Sequence, residues 1–137
     1  MNPARRDLIL LVEDDPDDEL LALRSFRKSQ MDADVVVVRD GAEALDYLFG
    51  TGVHAGRDLT VMPTCIMLDL SLPKVSGLEV LQRIKSDART KNIPVVMLTG
   101  SDYPMIAIET LRQGAEACFM KPVTCDGLRQ FAARPGL

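Results

Sequence analysis

The chain has 137 residues, with 16 Lys and Arg against 20 Asp and Glu, for a formal net charge of −4. That length suits one ordinary domain with a core of its own, and 47% hydrophobic against 26% charged residues excludes the composition of a disordered chain. The acidic balance offers no basic stripe to a nucleic-acid backbone, and no apolar run approaches the roughly 20 residues of a membrane span, so neither nucleic acid nor membrane is expected as a direct partner.

The first apolar run in the chain, Leu8 to Val12, is followed by Glu13, Asp14 and Asp15. Pro16 then opens a helix: Asp17, Asp18 and Glu19 suit the positive end of its dipole, Arg24, Arg27 and Lys28 the negative end, and Leu20, Leu21, Leu23 and Phe26 supply apolar positions. A second run, Val35 to Val38, leads to a helix over about Gly41 to Phe49. The segment from Gly50 to Pro63 is longer than most connections and reads as an exposed loop, in which the sole histidine, His54, is expected to be solvated, with no metal or catalytic role. A third run, Cys65 to Leu68, stops at Asp69, and a helix over about Ser76 to Lys85 follows with Leu78, Leu81 and Ile84 on one face. The fourth, Val95 to Leu98, gives way to Thr99, Gly100 and Ser101, then to a helix over about Pro104 to Gln113 whose apolar face is Met105, Ile108 and Leu111, with Gly114 as its stop. The fifth, Ala117 to Met120, ends at Lys121 and Pro122, before a short last helix over about Thr124 to Ala133.

Short, nearly continuous apolar runs mark strands buried on both faces of a parallel sheet. Five of them alternating with five helices predict one α/β domain over residues 1–137, a doubly wound parallel sheet with right-handed crossovers. Cys65, Cys118 and Cys125 lack CxxC spacing; they are expected as reduced thiols of a cytoplasmic protein, Cys65 and Cys118 being buried and inert.

In such sheets the site lies beyond the carboxyl ends of the strands, which here carry the chemistry. Glu13, Asp14 and Asp15 after the first strand and Asp69 after the third would converge if those strands are neighbours. Clustered anions are relieved by raised pKa values or by a bound cation, and a few carboxylates completed by water suit Mg²⁺ better than a fully caged Ca²⁺. Thr99 after the fourth strand and Lys121 after the fifth add a hydroxyl and an ammonium. Together these groups can orient a phosphoryl group in transit while a carboxylate attacks it; Asp69, a lone acid at a strand end, is the candidate nucleophile. Asp17, Asp18 and Glu19 are read as helix-dipole compensation.

With those residues placed, the chain resembles the receiver domain of two-component response regulators over about Asp7 to Ala133. LLVEDDPDDELL is similar to the acidic first-strand motif, MLDLSLPKVSG to the phosphoacceptor motif, MLTGS to the hydroxyl switch and MKP to the lysine motif. The resemblance implies a flavodoxin-like sheet of order 2-1-3-4-5 with no output domain. It implies that Asp69 takes a phosphoryl group from a sensor histidine kinase or a histidine phosphotransfer protein, and that Asp14, Asp69 and the Ser71 carbonyl ligate Mg²⁺ with Glu13 assisting through water. Thr99 would turn toward the acyl phosphate, Lys121 would pair with it, and the bond from Lys121 to Pro122 would be cis. The protein would then be a phosphoacceptor with self-phosphorylating and self-dephosphorylating chemistry, signalling to a downstream protein target, rather than a multiple-turnover enzyme. Finer features resemble the stand-alone receivers of phytochrome-type kinases, which implies homodimers through the fourth helix, fifth strand and fifth helix; Met105, Ile108, Phe119 and Phe131 are read as core before interface.

One departure stands out. Where receivers commonly carry Tyr or Phe, three residues before the lysine, this chain has Cys118, and Phe119 points to the other face of the strand. Transmission of the Thr99 movement is then expected through the Ser101 to Pro104 loop. Three alternative readings compete with this one. An aspartyl-phosphate-forming phosphatase of the haloacid-dehalogenase type needs an acid where Ser71 stands, a flavodoxin-like flavin binder would meet repulsion from Glu13, Asp14 and Asp15, and a phosphate-independent interaction module is left open by Cys118.

Overall fold

The computed structural model describes residues 7–30, 33–124 and 127. Five parallel strands, β1 (Asp7–Val12), β2 (Ala33–Val38), β3 (Cys65–Asp69), β4 (Val95–Thr99) and β5 (Ala117–Met120), lie in the order β2-β1-β3-β4-β5. Four helices alternate with them: α1 (Pro16–Ser29), α2 (Gly41–Phe49), α3 (Gly77–Ser86) and α4 (Pro104–Arg112). The expected last helix lies almost wholly outside the described residues, as do Cys125 and Phe131. No helix among the described residues is long and apolar enough to cross a membrane.

The helix starts follow local chemistry. Asp15 caps α1 by accepting from the backbone N–H groups of Asp17 and Asp18, Asp40 caps α2 through Glu43 N–H, and Ser76 caps α3 through Glu79 N–H. The central strands are the apolar ones: β3 and β4 are buried along their length and β1 from Ile9 onward, whereas the edge strands β2 and β5 are mostly half-buried. The expectation of two-faced burial therefore holds inside the sheet and fails at its edges, where one flank meets water. Alternate residues feed two cores: Leu10, Val12, Ile66, Leu68 and Met97 face α2 and α3, while Ile9, Leu11, Met67, Val96 and Leu98 face α1. Each such side chain contributes roughly 1.5–3 kcal/mol by leaving water.

Two helical faces differ from expectation. On α1 the buried positions are Ala22, Phe26 and Ser29, while Leu20 and Leu21 are exposed. On α4 the predicted inward triplet Met105, Ile108 and Leu111 faces solvent, with 59%, 48% and 47% of each exposed, and the buried residue is Thr110. The helix lies beside the edge strand β5, whose four residues offer little area to cover.

The 50–63 segment is also more structured than a solvated loop. It contains a 3-10 turn over Gly52–His54, and Arg57 lies over the Tyr47 ring at 4.0 Å while donating to the carbonyls of Tyr47 (2.6 Å) and Val61 (2.7 Å). His54 is not free in solvent: its Nε2 lies 3.0 Å from Glu43 Oε2, and its ring meets Tyr47 edge-on at 5.2 Å.

A close approach sets up the site. At Gly77, which opens α3, any Cβ would strike the carbonyl oxygen of Asp69, so only glycine lets the helix start against the strand end. Gly77→Ala is expected to cost about 1–3 kcal/mol in urea unfolding, whereas Gly100→Ala, with nothing within 4 Å of the new methyl, leaves the midpoint unchanged.

Candidate functional site

Register brings the strand ends together. Val12 pairs with Leu68 and Asp69 with Leu98, so Glu13, Asp14, Asp69 and Thr99 emerge along one rim. Thr99 pairs with Met120, and Lys121 N–H donates to the Thr99 carbonyl at 2.7 Å, which adds the lysine. The bond from Lys121 to Pro122 is cis.

At the centre sits the Lys121 ammonium, 2.9 Å from Glu13 Oε2, 3.0 Å from Asp69 Oδ2 and 3.0 Å from Asp18 Oδ2. Burial alone would lower its pKa, but the carboxylates of Glu13, Asp18 and Asp69 outweigh that and raise it. Lys121 therefore stays charged throughout the physiological range. The second oxygens of the two buried acids are held by backbone: Asp69 Oδ1 accepts from Ser71 N–H at 3.1 Å and Glu13 Oε1 from Asp15 N–H at 3.2 Å. Glu13 and Asp69 are each only 2% exposed. Asp14 is exposed beside them.

Glu13, Asp14 and Asp69 can each turn one carboxylate oxygen to a common point, their ligand atoms lying within 4.8 Å of one another. Such an all-oxygen set, open to water on the Asp14 side, fits a hard divalent cation that retains part of its hydration. Thr99, 7% exposed, accepts at Oγ1 from Ser101 N–H (3.1 Å), and Ser101 Oγ accepts from Tyr103 N–H (3.1 Å).

The structure thus brings Glu13, Asp14, Asp69, Ser71, Thr99 and Lys121 to one place, and adds Asp18. Reading Asp18 as helix-dipole compensation alone was incomplete, because its carboxylate reaches the lysine. A signal was present: α1 begins at the rim, and Asp18, Ala22 and Ser25 share a face of it. Cys118 and Phe119 point to opposite sides of β5, Cys118 packing with the α2–α3 core and Phe119 with the α1 core. Cys65 is buried, and burial pushes its thiol up to about 12, which accords with an inert role; Cys118 is only half-buried.

This constellation on a 2-1-3-4-5 sheet defines a class. The chain belongs to the response regulator receiver domain family, whose description matches residues 9–133. Among its relatives is the response regulator Rcp1 of Synechocystis sp. (strain PCC 6803), 40% identical over 100 residues that make up 73% of this chain and 65% of that protein. A Mn²⁺-bound crystal structure of Rcp1 superposes with a TM-score of 0.76 at 33% identity, covering 91% of this chain and 88% of that one. The bacteriophytochrome response regulator RtBRR superposes with a TM-score of 0.86 at 43% identity, covering 94% of this chain and 77% of that one. The phosphorylated cyanobacterial phytochrome response regulator RcpA gives 0.77 at 36%, covering 93% and 89%. The chain is thus a receiver domain homologous to phytochrome response regulators, and this kinship favours neither the phosphatase, the flavin binder nor the phosphate-independent module.

Burial pushes the Glu13 carboxyl from its ordinary 4.5 up to about 7, with the Asp69 charge adding to the rise while hydrogen bonds from Lys121 and the Asp15 N–H oppose it. Between those values the folded state holds a proton that the unfolded chain has lost, so stability falls as pH rises through that window. In the presence of a chelator the urea midpoint is expected to drop from pH 4.5 to 7, and Glu13→Gln to flatten that slope.

Proposed function

We propose that Asp69 accepts a phosphoryl group from the phosphohistidine of a sensor histidine kinase, of phytochrome type, or of a histidine phosphotransfer protein, and that the aspartyl phosphate alters binding to a downstream protein. The observation that carries this reading is the Asp69 carboxylate, 2% exposed and held at one oxygen by Ser71 N–H and at the other by the Lys121 ammonium.

A carboxylate oxygen of Asp69 forms the new bond to phosphorus as the P–N bond of the donor breaks, its electron pair staying on the imidazole nitrogen. Lys121, firmly protonated, meets the negative charge on the transferring oxygens, and the Thr99 hydroxyl at the end of the neighbouring strand is placed to donate to them. Glu13, Asp14, Asp69 and the Ser71 carbonyl would hold Mg²⁺, which supplies charge neutralisation to the phosphoryl oxygens. The acid set and the Mn²⁺-bound Rcp1 relative support that choice of ion.

The product is read through the loop after β4. Thr99 Oγ1 accepts from Ser101 N–H, and Ser101 Oγ accepts from Tyr103 N–H, the residue that precedes α4. A turn of Thr99 toward the phosphoryl group breaks the first link, and the disturbance reaches the exposed face of α4, Met105, Ile108 and Leu111, where a target or a second copy can bind. Cys118 is too small to report the same movement by steric displacement.

Incubation with acetyl phosphate and Mg²⁺, followed by mass spectrometry, should show one added phosphoryl group on Asp69, with labelling lost in Asp69→Asn and nearly lost in chelator. Label persisting unchanged in Asp69→Asn would overturn the site. In a Tyr47→Phe background, where Tyr103 is the sole tyrosine, Ser101→Ala should still take the label but lose most of the phosphorylation-dependent change in tyrosine fluorescence.

A further inference from the structure

Lys121 has three N–H donors, and the structure gives it three carboxylate acceptors. Two of them, Glu13 and Asp69, follow or end sheet strands; the third, Asp18, comes from the first turn of α1 at 3.0 Å. Asp18, Ala22 and Ser25 fall on one face of that helix. Ala22, 4% exposed, lets the helix lie close, and Ser25 Oγ donates to the carbonyl of Val123 at 2.6 Å. A narrow crevice lined by Glu13, Asp18, Ala22, Leu98, Lys121 and Val123 marks the seam. Helix α1 thus grips the chain at two points: the backbone just past Lys121, through Ser25, and the tip of the lysine itself, through Asp18.

Resting on the reading of Asp69 as phosphoacceptor, we propose that Asp18 is a positioning residue for phosphoryl transfer: it holds one donor of the Lys121 ammonium on the α1 side, so that another is aimed at Asp69. The contact is not a simple matter of charge. Another anion near an incoming phosphoryl group repels it, so removing a carboxylate should by charge alone speed the transfer. If Asp18 acts by aiming Lys121, removing it does the reverse, since a misplaced catalytic group loses rate steeply. A lysine released from Asp18 has two acid partners left, and the equally buried Glu13 competes with Asp69 for it.

Opposite signs make the test decisive. The full chain is treated with acetyl phosphate and Mg²⁺ and the initial rate of aspartyl phosphate formation is followed in wild type, Asp18→Asn, Asp18→Glu and Asp17→Asn. The last removes the same charge one residue away, on a side chain that is exposed at the start of α1. Asp18→Asn is expected to be roughly three- to tenfold slower, Asp18→Glu to recover most of the rate, and Asp17→Asn to match or exceed wild type. Without any phosphoryl donor, the ¹⁵N resonance of the Lys121 ammonium should shift in Asp18→Asn and stay put in Asp17→Asn. Equal rates in Asp18→Asn and Asp17→Asn, or an unmoved Lys121 resonance, would overturn the positioning role alone; absence of label in wild type would overturn the phosphoacceptor reading and this one with it.

Discussion

A single ammonium holds the rim of this sheet together. Lys121 stands at the end of an edge strand, yet its charge is shared by acids that follow β1, end β3 and begin α1. Opposite charges at such distances attract strongly where water is scarce, and breaking a half-buried cluster by removing one partner leaves the others uncompensated. One cation cannot neutralise Glu13, Asp14, Asp18 and Asp69 together. The site is left short of positive charge, and this shortage disposes it to a divalent ion; burial, with the Asp69 charge adding to it, is why Glu13 clings to its proton.

Much of this was legible in the chain because burial writes itself into strands. Apolar runs such as Cys65 to Leu68 and Val95 to Leu98 are buried on both faces, and a polar residue at the end of such a run must sit at the rim, which places Asp69, Thr99 and Lys121 from the sequence alone. Helices are less explicit. Met105, Ile108 and Leu111 recur at helical spacing whether the face they form meets a core or water, and only the position of α4 beside an edge strand decides. Asp18 was missed for a different reason: a carboxylate in a first turn compensates the helix dipole whatever else it touches, so its sequence context carries no second message. His54, among glycines, gave no hint of Glu43 and Tyr47, since the partners come from the face of α2.

The two cores on either side of the sheet play unequal parts. Cys118 packs among residues of α2 and α3, while Phe119 joins those of α1. In a strand these neighbours look in opposite directions, so the aromatic bulk of β5 is committed to the side on which α1 meets Lys121. The side beneath the β4–α4 loop keeps a small, polarisable thiol instead. The connection from Thr99 outward therefore runs along backbone N–H groups and short hydroxyls.

Arg57 fixes the long segment between α2 and β3. One guanidinium accepts the task of several turns: it caps carbonyls on both sides of itself and lies flat on Tyr47, a residue of α2. A connection anchored in this way behaves as a buttress rather than a tether. The outward side chains of Val53, Leu59 and Val61 are consequently presented in a fixed relief, and any molecule that met them would find the shape already made, with little freedom left to surrender.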